Sequence, residues 1–177
     1  QRQLMARGEA LLQAGRHADA ETIFKSVLRQ QPRHFDALHL LGIIALQTNR
    51  AAQGIDLFRR AIKENPANPG PYNDLGVGLQ SLRRYKEALS SFDRAIALGY
   101  QSPEVHNNRG NALRALNLHE QALSSFNRAL ALMPRYAIAL RNRGMVLREM
   151  KRLEEALASY DEAIDVMPDF GEVHRNR

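Results

Sequence analysis

The 177-residue chain is 44% hydrophobic and 25% charged, the balance of a soluble globular protein, which argues against collagen-like, low-complexity and wholly disordered classes. It has no cysteine, so disulfide frameworks, thiol nucleophiles and cysteine-ligated zinc are excluded. The 25 Lys and Arg against 19 Asp and Glu leave +6, which raises nucleic acid or an acidic partner as a question, and the longest apolar run, Leu40 to Leu46, is far short of the roughly 20 residues of a membrane span.

A period of 34 residues runs along the chain, marked by Gly8, Gly42, Gly76, Gly110 and Gly144. With these glycines at position 8 of each unit, a small residue follows at position 20 (Ala20, Gly54, Ala88, Ala122, Ala156). An aromatic stands at position 24 (Phe24, Phe58, Phe92, Phe126, Tyr160) and Ala or Val at position 27 (Val27, Ala61, Ala95, Ala129, Ala163). Pro32, Pro66, Pro134 and Pro168 close four units at position 32, with Tyr100 the exception.

Taken in chain order, repeat 1 (1–34) predicts helices over 2–14 and 18–31, and repeat 2 (35–68) over 36–48 and 52–64. Repeat 3 (69–102) predicts 70–82 and 86–98, repeat 4 (103–136) predicts 104–116 and 120–132, and repeat 5 (137–170) predicts 138–150 and 154–166. Residues 171–177 read as the start of a truncated sixth repeat, as if the chain were a section of a longer array. Gln1-Arg2-Gln3 carries neither an initiator Met nor the apolar core of a signal peptide, so a targeting segment is expected to have been removed or never to have belonged to this piece. Absence of cysteine suits either redox state; a cytoplasmic setting is the expectation, with the periplasm as its alternative.

The physics of the pattern supports helix pairs. A glycine inside a helix costs about 1 kcal/mol relative to alanine, so five in one register imply a close approach of helices, with the small residues at positions 20 and 27 suited to meet them. Proline stops each second helix, since it lacks the amide donor and restrains the residue before it. Where Tyr100 replaces it, Gly99 is expected to supply a left-handed termination. The turns within units carry Gly15, Asn49, Arg83, Asn117 and Lys151, of which the glycine and the two asparagines readily take positive φ.

Glycine, alanine, aromatic, alanine and proline at these positions resemble the tetratricopeptide repeat over the whole chain, with Leu4, Leu38, Tyr72, His106 and Leu140 where that family often has tryptophan. The resemblance implies an all-α fold, an α-solenoid of stacked helix-turn-helix units wound into a right-handed superhelix. It also implies a concave surface lined by the first helices through positions 2, 5, 6, 9, 12 and 13, holding an extended peptide.

That surface reads as two halves. Repeats 1 and 2 place Met5, Leu12, His39, Ile43 and Leu46 on it, of which Met5, Ile43 and Leu46 read either as a ligand pocket or as a face covered by an absent N-terminal segment or another subunit. The remainder places Asn73, Asn107, Asn108, Asn111, Arg114, Arg141, Asn142, Arg148, Arg175 and Asn176 there, the candidate peptide-binding residues. Asn108, Asn142 and Asn176 share position 6 and are expected to stack as a ladder whose amides both donate and accept, matching a peptide backbone. This is similar to the asparagine ladder in the repeats of O-linked N-acetylglucosamine transferases, although Asp74, Leu40 and Ala6 take that position in the earlier repeats. The competing reading makes these asparagines solvated helix positions. The arginines favour a carboxylate, from acidic side chains or a peptide C-terminus, through forked hydrogen bonds; chaperone-binding members of the family use a comparable clamp, whose order of residues is not reproduced here.

Arg109, Arg143 and Arg177 at position 7 are expected to pack their stems between helices, and Arg16, Arg50, Arg84 and Arg152 to form a solvated basic edge. Asp74 to Ser81 begins like a phosphate loop but lacks its last glycine, His119-Glu120 lacks the second histidine of a zinc site, and no nucleophile stands beside a base. No catalytic residue, cofactor or metal is expected. Nucleic acid and membrane partners are not expected either, because the repeats carry net charges of +3, +1, +1, +2 and −2 without a dominant patch and the aromatics are used in the core. The function expected is a non-catalytic scaffold binding a peptide, with self-association possible through the array ends or the apolar N-terminal groove. The alternative is the substrate-recruiting region of a larger enzyme such as a glycosyltransferase.

Overall fold

A computed structural model describes residues 2–168. Among them the chain is all-α, with ten helices of 12 to 14 residues and no strand. In order these are α1 (Arg2–Gln13), α2 (His17–Gln30), α3 (Phe35–Gln47), α4 (Ala51–Glu64), α5 (Gly70–Ser81), α6 (Tyr85–Ala97), α7 (Pro103–Ala115), α8 (His119–Leu132), α9 (Ala137–Glu149) and α10 (Leu153–Val166). They form two compact units, Gln1–Leu98 and Gly99–Arg177. Each unit is a stack of antiparallel helix pairs in which the second helix of one pair also packs on the first helix of the next: α2 on α3 and α4 on α5 in one, α8 on α9 in the other. This is an α-solenoid architecture, since no pair could bury its apolar face alone.

The turn inside every pair is a Schellman cap. In α1, Arg16 N–H reaches Leu11 O (2.9 Å) while Gly15 N–H reaches Leu12 O (3.0 Å), satisfying two of the carbonyls that a helix end leaves orphaned. The same pair of bonds recurs at Asn49–Arg50, Arg83–Arg84, Asn117–Leu118 and Lys151–Arg152. The geometry needs a left-handed residue, and all five take it, at φ of 70°, 58°, 59°, 59° and 61°. Gly15, Asn49 and Asn117 do so without strain; Arg83 and Lys151 are forced into it by the cap.

Second helices end as proline dictates. The residue before each proline, Gln31, Asn65, Met133 or Met167, is extended, with φ between −143° and −133°. Where proline is missing, Gly99 takes φ 93° and ends α6 instead. Pro103 then opens α7, whose Ser102 cap accepts the Val105 amide (3.2 Å).

The core explains the glycine period. Phe24, Phe58, Phe92 and Phe126 are wholly buried, each contributing about 2–3 kcal/mol by removal from water. Each ring lies where the Cβ of the position-8 glycine would be; at Gly110 such an atom would sit 2.6, 2.8 and 2.9 Å from Phe126 ring atoms. The ring, more than the small residues at positions 20 and 27, therefore occupies the gap. Position 20 does contribute: a Cβ on Gly54 would lie 3.1 Å from the Gly42 carbonyl.

Candidate functional site

Successive first helices meet in a register that the 34-residue period does not announce. In the second unit Asn142 Nδ2 donates to Asn107 Oδ1 at 2.9 Å, and Arg114 Nη1 donates to Glu149 Oε1 at 3.2 Å; both pairs are 35 residues apart. In the first unit His39 Nε2 meets Asp74 Oδ2 at 2.7 Å with the same separation. Positions 5 and 12 lie one above the other on a helix, as do 6 and 13, and the two rows are about 100° apart. One row faces the following helix and the other faces the preceding one. Equivalent residues cannot meet each other, because they point the same way.

This corrects the expected asparagine ladder. Asn142 is buried and turned to Asn107, itself buried, so within the second unit both amides belong to the stack. Asn73 is also buried, and its Nδ2 donates to Asp74 Oδ1 at 3.1 Å. Arg141 is half-buried and already engaged, and Arg114 is held by Glu149. Asn108 and Asn111 are half-buried, and among the described residues neither amide makes a side-chain hydrogen bond; Arg148 is exposed. Arg175 and Asn176 lie outside the described residues, as does the stub 171–177.

Between the two contact rows, positions 2 and 9 point outward. In the second unit these are Glu104 and Asn111 on α7, and Ile138 and Met145 on α9. Ile138 is 40% exposed, so Ile138 and the half-buried Met145 give α9 an apolar outward face, flanked by Arg141 and Arg148 of the row that faces a following helix. Sequence reading named the two arginines and missed Ile138, Met145 and Glu149. The resemblance marks positions 2, 9 and 13, of which only Asn111 at position 9 is among the candidates; apolar Ile138 and Met145 carry no polar signal.

The apolar half expected in repeats 1 and 2 is largely consumed by folding. Met5 is buried in the core of the first unit, with Leu12 packed against it. Leu46 lies within 3.3 Å of where Cβ atoms on Gly54 and Gly78 would be, filling the space those glycines leave. His39 sits against the rings of Phe35 and Phe58, at 6.0 and 5.8 Å between centroids. Ile43 remains half-buried. Neither an absent segment nor another subunit is needed to cover Met5.

The position-7 arginines cross to their own second helix. Arg109 Nη1 donates to Ser125 Oγ (2.7 Å), and Arg143 Nε donates to Ser159 Oγ (2.9 Å), with Glu162 beside the same guanidinium. The turn arginines form local ion pairs: Arg16 with Asp19, Arg84 with Glu87 and Arg152 with Glu155, each three residues on in the first turn of the second helix. There the carboxylate also favours the helix N-terminus. Gln53 stands at that place in repeat 2 and accepts from Arg50 (3.2 Å), whose guanidinium also reaches Glu21 of the preceding repeat (2.6 and 2.9 Å). Hydrogen bonds from Arg50 and Lys25 hold the Glu21 carboxyl at about 2, down from 4.5. In His106, at the family's tryptophan position, burial and then the charges of Arg128 and Arg109 push the imidazole pKa down. Many of the basic side chains are thus paired locally, and the excess of +6 is spread among the others.

Among the described residues no group of side chains is arranged to hold a metal ion, and no helix is long and apolar enough to cross a membrane. Stacked helical pairs define a helical-repeat protein. Three models of the tetratricopeptide repeat match residues 5–69, 72–100 and 101–169, and the chain belongs to that family. None of the three describes a catalytic domain or a glycosyltransferase. No curated protein matches. Among solved structures, a crystal structure of MamA is 18% identical with a TM-score of 0.83, covering 93% of this chain and 96% of that one. A further MamA structure, AMB-1, is 25% identical with a TM-score of 0.79 over 94% and 98% of the two chains. YrrB, described as a TPR protein with an unusual peptide-binding site, is 24% identical with a TM-score of 0.80 over 94% and 86%.

Proposed function

We propose that the chain is a non-catalytic interaction module that holds an extended peptide along the open face of its first helices, with Asn108, Asn111, Met145 and Arg148 of the second unit as principal contacts. The observation that carries this reading is the open face itself. Asn111 points outward at position 9 and Asn108 is half-buried at position 6; among the described residues neither amide makes a side-chain hydrogen bond, and Ile138 and Met145 offer apolar ground beside Arg148. Amides that donate and accept suit a peptide backbone, and the arginines suit acidic side chains. The peptide-binding site attributed to YrrB, a protein of similar fold, supports the same class of ligand. Self-association is part of this reading, with Leu153 and Leu157 of α10 exposed at 64% and 62%; sedimentation showing only monomer at every concentration counts against it.

The test is the variant Asn108→Ala/Asn111→Ala, screened against a displayed peptide library. Binding recovered by the unmodified chain should fall at least tenfold while the melting curve is unchanged. Equal binding by the variant sinks the assignment. Asn142→Ala is the contrasting variant: it strands the buried Asn107 carbonyl and should destabilise the second unit by about 1–3 kcal/mol, so its loss of binding is not informative.

A further inference from the structure

We propose that Glu149 sets the charge preference of the groove in the second unit: it stands in a carboxylate position formed by Arg114 and His119, and an acidic side chain of a bound peptide takes that position by exchange. The inference rests on the peptide-binding reading above.

Arg114 lies in the last turn of α7 and His119 opens α8, so the Schellman turn between them fixes both around one point beside the open face. Glu149, from the end of α9, projects its carboxylate there. The fit is poor. Arg114 Nη1 makes one 3.2 Å bond to Oε1, where a guanidinium can hold a carboxylate through two parallel bonds. The other oxygen is 3.5 Å from His119 Nδ1, and that buried nitrogen has no hydrogen-bond partner. A carboxylate arriving from solvent on a free chain can approach Arg114 through both nitrogens, which Glu149, tethered to the neighbouring helix, does not do.

The resident is also replaceable. The three side chains are 29%, 30% and 36% exposed, so a ligand can reach them, and ion pairs at such exposure are worth little. Displacing Glu149 therefore opposes binding weakly, yet while it remains it cancels the charge of Arg114. The groove is tuned toward neutral or mildly acidic segments. Removing the resident charge should turn it toward acidic ones.

The experiment uses the full chain, a short fluorescein-labelled peptide of alternating Ser and Glu, and its Ser-Gln counterpart, with anisotropy read at low and at physiological salt. Glu149→Gln should bind the Glu peptide about threefold to fivefold tighter than the unmodified chain at low salt, with the gain shrinking as salt rises, and bind the Gln peptide unchanged. The gain should vanish in Arg114→Gln/Glu149→Gln. Glu154→Gln, on the exposed first turn of α10, makes the same change in net charge and should show no gain. No gain in Glu149→Gln, an equal gain in Glu154→Gln, or a gain that survives loss of Arg114 overturns the proposal while leaving peptide binding intact. Failure of both peptides to bind any form overturns the peptide-binding reading and this inference together.

Discussion

Adding one methyl group at Gly110 sets helix propensity against packing, and the two predict opposite signs. Alanine is favoured over glycine by about 1 kcal/mol inside a helix, so on local grounds Gly110→Ala stabilises α7. The new Cβ, however, would stand 2.6–2.9 Å from three ring atoms of Phe126, distances that side chains do not tolerate. The ring is wholly buried, with Ala122 and Ala129 also fully buried on the same helix, so it has no free volume to enter. Such overpacking costs about 1–3 kcal/mol, occasionally more. The net expectation is a loss of up to about 2 kcal/mol, read as a fall of up to roughly 8 °C in the melting transition for a chain of this size. The assay is thermal and urea denaturation followed by circular dichroism. Gly110→Ala/Phe126→Leu should recover part of the loss, because the smaller side chain makes room, and the coupling between the two changes should be non-additive. A Gly110→Ala variant more stable than the parent would refute the argument, leaving the period of glycines without its packing explanation.

Two further outcomes follow from the same structure. Glu21 has its folded pKa below its ordinary value, so its contribution is complete above 4.5 and disappears as pH falls toward 2; the unmodified chain should lose about 1–2 kcal/mol over that window relative to Glu21→Gln, as melting curves at neutral and acid pH will show. Lys151 holds φ 61° only because the cap requires it, so Lys151→Asn should raise stability by about 0.5–1 kcal/mol, whereas Asn117→Lys at the equivalent turn should lower it by a similar amount, both measurable by urea titration.

Sequence by itself determined the helix pairs and most of their boundaries. Glycine, aromatic and proline each solve a local problem: a gap for a ring, the ring, and a stop. Five repetitions of the first two and four of the third made α1 to α10 legible to within about one residue. The left-handed turns were legible too, although at Arg83 and Lys151 only the hydrogen-bonding demand of the cap, not residue preference, selects the conformation.

Which polar residues remain open was decided by tertiary structure. A period assigns each side chain an azimuth on its own helix, but whether it meets water or a neighbour depends on how the next helix is rotated. Asn107 and Asn142 were both plausible ligand contacts until the 35-residue register joined them. Arg114 is open by its azimuth alone, yet Glu149, at the adjoining position of the next first helix, stands beside it. Hydrogen bonding between neighbours is satisfied by pairs pointing toward each other, and equivalent positions in a repeat never do. The period therefore reveals the scaffold, while the offset of one residue between neighbouring helices selects the surface left for a partner.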